Sequence, residues 1–544
     1  DLHLSLRRQR QMCIRDSPRD HAIGPAHHHH KYLPNCPPPV TAGARHPPRG
    51  SPPPPVTAEA GNRSRQKQRA RRPTRPRPRA SPTRRAGRRR AFVRREVTRG
   101  PSPRQSATLA MTFAFAPSAA NASRARARCG TIAHGDGART PTPTALAPTS
   151  KGEHATLTKD VLDDVETRLR AALRARRRAN DDGTSDEGCL FGCALVGAHF
   201  ARKTKRGTKR KRDGDEAEGE EAEGDEAACP PPRRLTLGHY RDSMYFGMNA
   251  QNRSGADALA CETPYGQRSL DAREYARIWR SGAAHAAVSL ADEHGGWESA
   301  KKSKTAAIRT CAWLDACAKE AKTLGLPLFG ALTGGEHAEV REECSRRVAE
   351  RDDDVVGYAL SGFFAGEDVS TRGACIEASL KHIPSEKPRY LSGTTTVEDI
   401  VDNIDRGVDV FDASWASETA QRGRAFCFPV DEEDDEMEVE DAESRATSGS
   451  DAYSINIWST SYKTDFTPFI RGDRCRCPAC AEHTRAYVHH LLQAHEMTAD
   501  VLLEAHNLYH IAAFFAAARR AIRCGRWQEF AAFHRAYAQR ARET

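Results

Sequence analysis

Strand-like and helix-like segments alternate from residue 286 to residue 411, and this alternation limits the fold more than any other feature of the chain. Short apolar runs at 286–290, 328–332, 355–360, 389–391 and 408–411 read as strands. The intervening 298–324, 336–349, 371–381 and 396–406 read as helices, the last opened by Thr396 with Asp399 three residues on. Strands joined through helices lie parallel, and a parallel sheet needs helices to cover it. Repeats this regular point to an α/β fold, a (β/α)8 TIM-like barrel, rather than an open sheet. No dinucleotide-binding glycine fingerprint follows any of the strands. Gly334, Gly335, Gly362 and Gly366 fall just after strands, where a barrel carries its ligand-binding loops.

Charge and proline divide the chain. Residues 1–150 hold 30 Lys+Arg against 6 Asp+Glu and 22 of the 32 prolines. The remainder holds 54 basic against 66 acidic residues, so the overall charge of +12 belongs to the leader and is no argument that the folded part binds nucleic acid. A stretch this rich in Arg and Pro is expected to be disordered, with order starting near residue 155. Residues 1–20 resemble translated upstream sequence, and Met111 is a plausible start followed by an Ala/Ser/Arg-rich stretch that would suit a transit peptide.

Beyond the leader, 151–284 reads as a diverged N-terminal part with a helix over 161–178. It carries a charged insert at 202–227, with eight basic residues in 202–212 followed by nine acids in 213–226. The barrel repeats occupy 285–430, an acidic insert 431–450, and a strand at 453–458 leads into a histidine-rich helical tail over 451–544.

Three cysteines open that tail. Cys475, Cys477 and Cys480 have the spacing that lets three thiolates meet on one tetrahedral ion, with a histidine as fourth ligand. Arg474, Arg476 and Pro478 beside them make the segment a poor core former, which favours zinc over a chance grouping. His489, His490 and His506 compete for the fourth place. On an unbroken helix His506 would lie roughly 40 Å from Cys480, so it requires a reversal, for which 496–500 with Thr498 as N-cap is the natural place. The sixteen cysteines show no regular pairing and follow no secretory segment, which suits a reducing, cytoplasmic setting, with organellar targeting by residues 111–150 as the alternative. No apolar run reaches the ~18 residues of a membrane span, so none is expected.

The segment Cys475-Arg-Cys-Pro-Ala-Cys480, then Thr484-Arg-Ala-Tyr-Val-His-His-Leu491, then His506-Asn-Leu508, resembles the zinc subdomain of the tRNA-guanine transglycosylases, which insert queuine or its precursors into tRNA. Gly330-Ala-Leu-Thr-Gly-Gly335 is similar to that family's GIVQGG loop. Val356-Gly-Tyr-Ala-Leu-Ser-Gly-Phe-Phe-Ala-Gly-Glu367 is similar to its GYAIGGLAVGE segment. Arg389-Tyr-Leu-Ser-Gly393 and Gly407-Val-Asp-Val-Phe-Asp412 match two more. The resemblance spans roughly 285–525 and implies a barrel with a C-terminal helical zinc subdomain. It also implies one structural zinc ion on Cys475, Cys477, Cys480 and His506.

The departures from the family shape the functional expectation. Asp412 stands where the family has its nucleophile, but Ala413-Ser-Trp-Ala-Ser-Glu418 replaces the CVxPTR run. The DSGGFQ motif that supplies the second catalytic aspartate is absent, with nothing similar around 252–290. Asp292 falls near the family's base-recognising aspartate, and Thr333 replaces the glutamine that would help it. The resemblance therefore implies no catalytic residues in this chain. It implies a non-catalytic relative that pairs, as a heterodimer, with a catalytic queuine tRNA-ribosyltransferase subunit and supports exchange of guanine at the tRNA wobble position. Asp412 is then a surface or vestigial residue. The alternatives are a catalytic transglycosylase using Asp412, or a zinc-dependent RNA-binding module.

Overall fold

Leu328–Leu332, sequence LFGAL, is apolar and buried along its whole length, which suits a strand covered on both faces. The computed structural model describes residues 113–117, 126–135, 137–149, 154–175, 192–196, 234–240, 255–263, 266–281, 284–295, 298–432, 445 and 447–543. The leader up to 112, the charged insert 202–227 and residues 433–444 of the acidic insert lie outside them.

Along the chain, Phe113–Pro117 (β1), Gly130–His134 (β2) and Ala138–Thr142 (β3) form an antiparallel sheet. Thr144–Thr149 (β4), Lys159–Ala175 (α1), Gly192–Val196 (β5) and Thr236–His239 (β6) follow. Ala258–Thr263 (β7) and Gly266–Asp271 (β8) make a hairpin ahead of Ala272–Ser281 (α2) and Ala286–Val288 (β9). The regular part then runs Ala300–Leu324 (α3), Leu328–Leu332 (β10), Ala338–Ala349 (α4), Gly357–Leu360 (β11), Val369–Leu380 (α5), Arg389–Leu391 (β12), Val397–Asp405 (α6) and Val410–Asp412 (β13). Ser414–Gln421 (α7), Arg424–Phe426 (β14) and Ser454–Asn456 (β15) lead to the tail helices Pro478–Glu482 (α8), Arg485–Gln493 (α9), Thr498–Arg523 (α10) and Trp527–Glu543 (α11).

Eight parallel strands close on themselves in the order β4-β5-β6-β9-β10-β11-β12-β13. Val410 pairs with Thr144 and Asp412 with Leu146 at one seam, and Leu237 pairs with Ala286 at another. The (β/α)8 barrel expected from the sequence is therefore present, but its boundaries differ. The first barrel strand is residues 144–149, so the folded domain starts inside what composition assigns to the leader, not near 155. Three of the eight strands precede residue 285. β4 reads TALAPT, with alanine, threonine and an internal proline instead of branched apolar residues, and so carries little strand signal. The β1–β3 sheet lies by the end where the barrel strands begin, with the His134 ring 4.6 Å from that of His285, just before β9.

The acidic insert is not wholly solvated either. Asp431 is buried and pairs with Arg520 at 2.6 Å, and Glu432 pairs with Arg526 at 2.7 Å. Its last residues also pack, the Arg424 guanidinium reaching the Gly449 carbonyl at 2.8 Å.

Among the described residues, α10 alone is long and apolar enough to cross a membrane, but 94% of its apolar window is buried within the protein. It is a core helix, tied to the first barrel strand by Arg519, which donates to the Pro143 carbonyl at 2.7 Å.

Local chemistry sets the helix ends. Thr396 caps α6 by accepting from the Asp399 backbone N–H at 3.1 Å, and α3 stops at Gly325 with φ 65°. Thr396→Ala is expected to cost about 1 kcal/mol in denaturant unfolding, because the cap is lost while Asp399 keeps its 2.8 Å pair with Arg372. α5 starts earlier than the sequence suggests, at Val369, because Asp368 supplies the cap.

Two buried histidines set a pH dependence. Burial and the neighbouring His285 push His134 down to about 3, and burial pushes His534 down to about 4. Both stay neutral in the folded chain, while the unfolded chain takes up protons near pH 6.5. Their contribution is complete above that pH and declines as pH falls toward 4, by roughly 1.4 kcal/mol per unit for each. Urea unfolding at pH 6.5 and 5.5 should show this loss, and His534→Leu should lessen it.

Candidate metal centre and barrel mouth

The knuckle is built by a short helix. Pro478 occupies the first turn of α8, and Cys477 caps it, its sulfur accepting from the Cys480 backbone N–H at 3.2 Å. This turns the sulfurs of 477 and 480 to one side, where Cys475 joins them.

The chain then reverses. α9 ends at Gln493, His495 takes a left-handed φ of 53°, and α10 starts at Thr498. The reversal lies at the expected place, but Thr498 is the first helical residue; Met497 holds the cap position and makes no side-chain cap bond. The tight turn satisfies the end of α9 instead, with Glu496 N–H on the Leu491 carbonyl at 2.9 Å.

The reversal brings His506 back to the cysteines. Its Nδ1 lies 3.8 Å from the sulfur of Cys475 and 3.4 Å from those of Cys477 and Cys480. All four donor atoms lie within 4.8 Å of one another. A tetrahedral ion with metal–sulfur bonds near 2.3 Å and a metal–nitrogen bond near 2.0 Å spaces its donors by about 3.5–3.8 Å. The four residues fit such an ion. His506 Nε2 lies 2.8 Å from the Phe426 carbonyl, which fixes the tautomer and leaves Nδ1 free to ligate. The rivals are elsewhere: His489 Nδ1 is held by the Ile457 carbonyl at 2.8 Å, and His490 is exposed.

Electrostatics point the same way. Burial pushes the Cys475 thiol well up, with the adjacent sulfurs adding to it, and burial pushes Cys477 up. Burial also opposes the Cys480 thiolate, but hydrogen bonds from Cys475 and Cys477 and the nearby His506 ring outweigh it and pull Cys480 well down. Three buried sulfurs cannot all ionise unless a cation joins them, so metal binding must release protons.

Asn507 lies within the His506-Asn-Leu508 segment, but the sequence assigns it no role. Its side chain accepts from Phe426 N–H at 2.9 Å and donates to the carbonyls of Ala416 and Arg424, both at 3.1 Å. The His-Asn pair thus holds β14 by three hydrogen bonds, which is the signal the adjacent motif carried. Arg485 does similar work, donating to the Pro468 and Phe469 carbonyls at 3.0 and 2.9 Å.

The glycine loops do lie at the strand ends of the barrel mouth. Arg341, fully buried, donates to the carbonyls of Gly335, Ser361 and Gly362 at 2.5, 3.2 and 3.0 Å. Its guanidinium carbon sits 3.5 Å from the centre of the Phe363 ring. A Cβ on Gly334 would lie 2.5 Å from the Arg341 side chain, so only glycine lets this arginine knit the loops.

Carboxylates at the mouth are already engaged. Asp292 forms an ion pair with Arg309 of α3, and its N–H bonds Thr310 Oγ1 at 3.0 Å. Thr333 meets that same hydroxyl at 3.2 Å. Glu293 accepts from Gly362 N–H at 2.9 Å. Asp412 is not a surface residue, as the sequence suggested, but is 3% exposed. It accepts from Gly393 N–H at 2.5 Å on one oxygen, and from Ser414 N–H at 3.1 Å and Ser414 Oγ at 2.6 Å on the other. The barrel strand before β9, β6, ends at His239 with Tyr240 after it, and residues 241–254 lie outside the described ones.

Comparison with known proteins agrees with this arrangement. The family model described as queuine tRNA-ribosyltransferase matches residues 237–539. A Gallus gallus protein named queuine tRNA-ribosyltransferase accessory subunit 2 is 32% identical over 262 residues, which cover 43% of this chain and 60% of the relative. Its Homo sapiens namesake is 30% identical over 248 residues, 41% of this chain and 59% of the relative. A Lachnospira eligens protein named queuine tRNA-ribosyltransferase is 32% identical over 231 residues, 41% of this chain and 54% of the relative. The chain thus spans about 60% of the length of the accessory-subunit relatives it matches. The family match takes in six of the eight barrel strands and the whole Cys3His cluster, more than half of the chain, which therefore belongs to the queuine tRNA-ribosyltransferase family.

Proposed function

We propose that this chain is the non-catalytic accessory subunit of a heterodimeric queuine tRNA-ribosyltransferase, supporting a catalytic family member in exchanging guanine for queuine at the tRNA wobble position. The observation that carries the reading is the state of the barrel mouth. Base exchange on a ribose needs a carboxylate nucleophile and a second acid/base group. Here Asp412 has both oxygens bound to the backbone and hydroxyl of its neighbours, and Asp292 is neutralised by Arg309. The names of the chicken and human relatives support the same role.

Zinc is the ion this donor set suits, held by Cys475, Cys477, Cys480 and His506. Four protein ligands close the coordination, so its role is structural and it stiffens the tail. Around that tail Trp458, Phe466, Tyr487 and Met497 are large apolar side chains left 40%, 75%, 39% and 43% exposed. We assign them to the surface that meets the catalytic subunit. The reducing chemistry of the site suits the cytoplasm.

The bacterial relative named as the transferase itself favours a second reading, catalysis through Asp412. Sedimentation of this chain mixed with a catalytic subunit tests the first. A one-to-one complex that Phe466→Glu with Tyr487→Glu dissolves supports it; a chain that stays alone, or pairs only with itself, contradicts it.

A further inference from the structure

Five cationic side chains converge at the end of the barrel where the strands begin, opposite the glycine loops. Arg126 and Arg128 precede β2, Lys381 follows α5, Arg389 opens β12 and Arg406 follows α6. With Glu377 they surround a cleft of about 590 Å³.

The charges there are incompletely matched. Arg128 is paired with buried Asp409 at 2.5 Å, and Lys381 with Glu342 at 2.7 Å. Arg126 and Arg406 share only Glu377, at 3.9 and 3.7 Å, beyond hydrogen-bond reach. The Arg389 guanidinium meets carbonyls alone, Gly407 at 3.3 Å and Ile383 at 3.5 Å. Arg389 Nε and Arg406 Nε are both buried donors with no hydrogen-bond partner, a condition folded chains rarely tolerate.

The surrounding fold keeps this arrangement. Gly407 has φ 88°, and a Cβ there would come within 2.8 Å of Arg389 Nη1 and 3.2 Å of the Arg126 carbonyl. Burial, with Arg128 and Arg126 as like-charged neighbours, lowers Arg389 to about 10, while Asp409 and Glu386 offset part of that shift. An anion in the cleft would relieve the repulsion and accept from both orphan N–H groups.

We propose that this cleft is a phosphate-binding site, with Arg389 and Arg406 donating through their Nε–H groups and Lys381 and Arg126 supplying charge from the rim. Arginine forks match the oxygens of a phosphate, and the volume suits a phosphate ester better than a lone carboxylate. Two sources carry that group, the backbone of an RNA and a small phosphorylated molecule. The site lies at the end of the barrel opposite the mouth, and it does not rest on the accessory reading.

The test uses the full metal-loaded chain without any catalytic subunit. Inorganic phosphate should raise the unfolding midpoint of the wild type in a saturable way that chloride at equal ionic strength does not reproduce. Lys381→Gln with Arg406→Gln should weaken phosphate binding at least about tenfold, and Arg126→Gln, at a 67% exposed side chain on the rim, should weaken it less.

Transfer RNA binding across about 50 to 200 mM salt then identifies the source. A salt slope lower by about 1–2 in the double variant assigns the phosphate to RNA. An unchanged slope beside a retained wild-type phosphate response assigns it to a small phosphate ester. No phosphate response in the wild type, or equal phosphate affinity in the double variant, overturns the site. Because no partner enters the assay, these outcomes leave the heterodimer reading untouched.

Discussion

Replacing Cys477 by serine is expected to loosen the whole C-terminal subdomain and lower stability by several kcal/mol. Cys477 is fully buried, offers one of the four donor atoms that could hold the ion, and caps α8 through its sulfur. Structural zinc sites in small domains contribute on the order of 10 kcal/mol to folding. Here the loss is smaller, because α10 is also held by the barrel through Arg519 and by Asn507 on β14. Amide exchange should rise most over 472–497, where the knuckle, α9 and the His495 turn depend on the ion, and less over the second half of α10. A strong chelator should reproduce the pattern in the wild type. A C477S chain that keeps its metal and its exchange protection would remove the ion from the account of this subdomain.

Asp409→Ala is the second large effect, at about 3–5 kcal/mol. Asp409 has no exposed surface, and its carboxylate accepts from Arg128 Nε at 2.9 Å, Arg128 Nη2 at 2.5 Å and Arg389 N–H at 2.8 Å. Truncating it leaves a guanidinium buried without its counter-charge, which costs far more than the pair contributes. Asp409→Leu with Arg128→Met should recover part of the loss in urea unfolding, since the Arg128 charge is removed with its partner, while Arg389 loses the nearby carboxylate and keeps only its carbonyl contacts. The pair also ties the segment before β4 to the barrel. If Asp409→Ala unfolds like the wild type, the segment before β4 is not part of the cooperative unit.

Periodicity and composition locate some elements here and hide others. β10 and β12 fall on the residues expected of them, because each is a compact apolar run bounded by helix stops. β4 and β6 are invisible to the same reading: TALAPT and TLGH lack branched apolar alternation, and their register is set by neighbours far along the chain, Val410 for one and Ala286 for the other. α7 is missed because Ser414–Gln421 is short and polar, and draws its order from packing under α10. The knuckle spacing points to a metal, but the fourth ligand depends on a reversal made by a single left-handed histidine, which spacing cannot supply. Asp412 reads as a surface or vestigial residue because a sequence shows a carboxylate but not the Gly393 and Ser414 donors that occupy it.

Guanine exchange into tRNA tests the central claim most directly, measured with this chain alone, with a catalytic family member alone and with the two together. The account predicts no exchange by this chain, and full exchange only when both are present, unchanged by Asp412→Asn. Exchange by this chain alone, abolished by Asp412→Asn, would contradict it and make Asp412 the nucleophile.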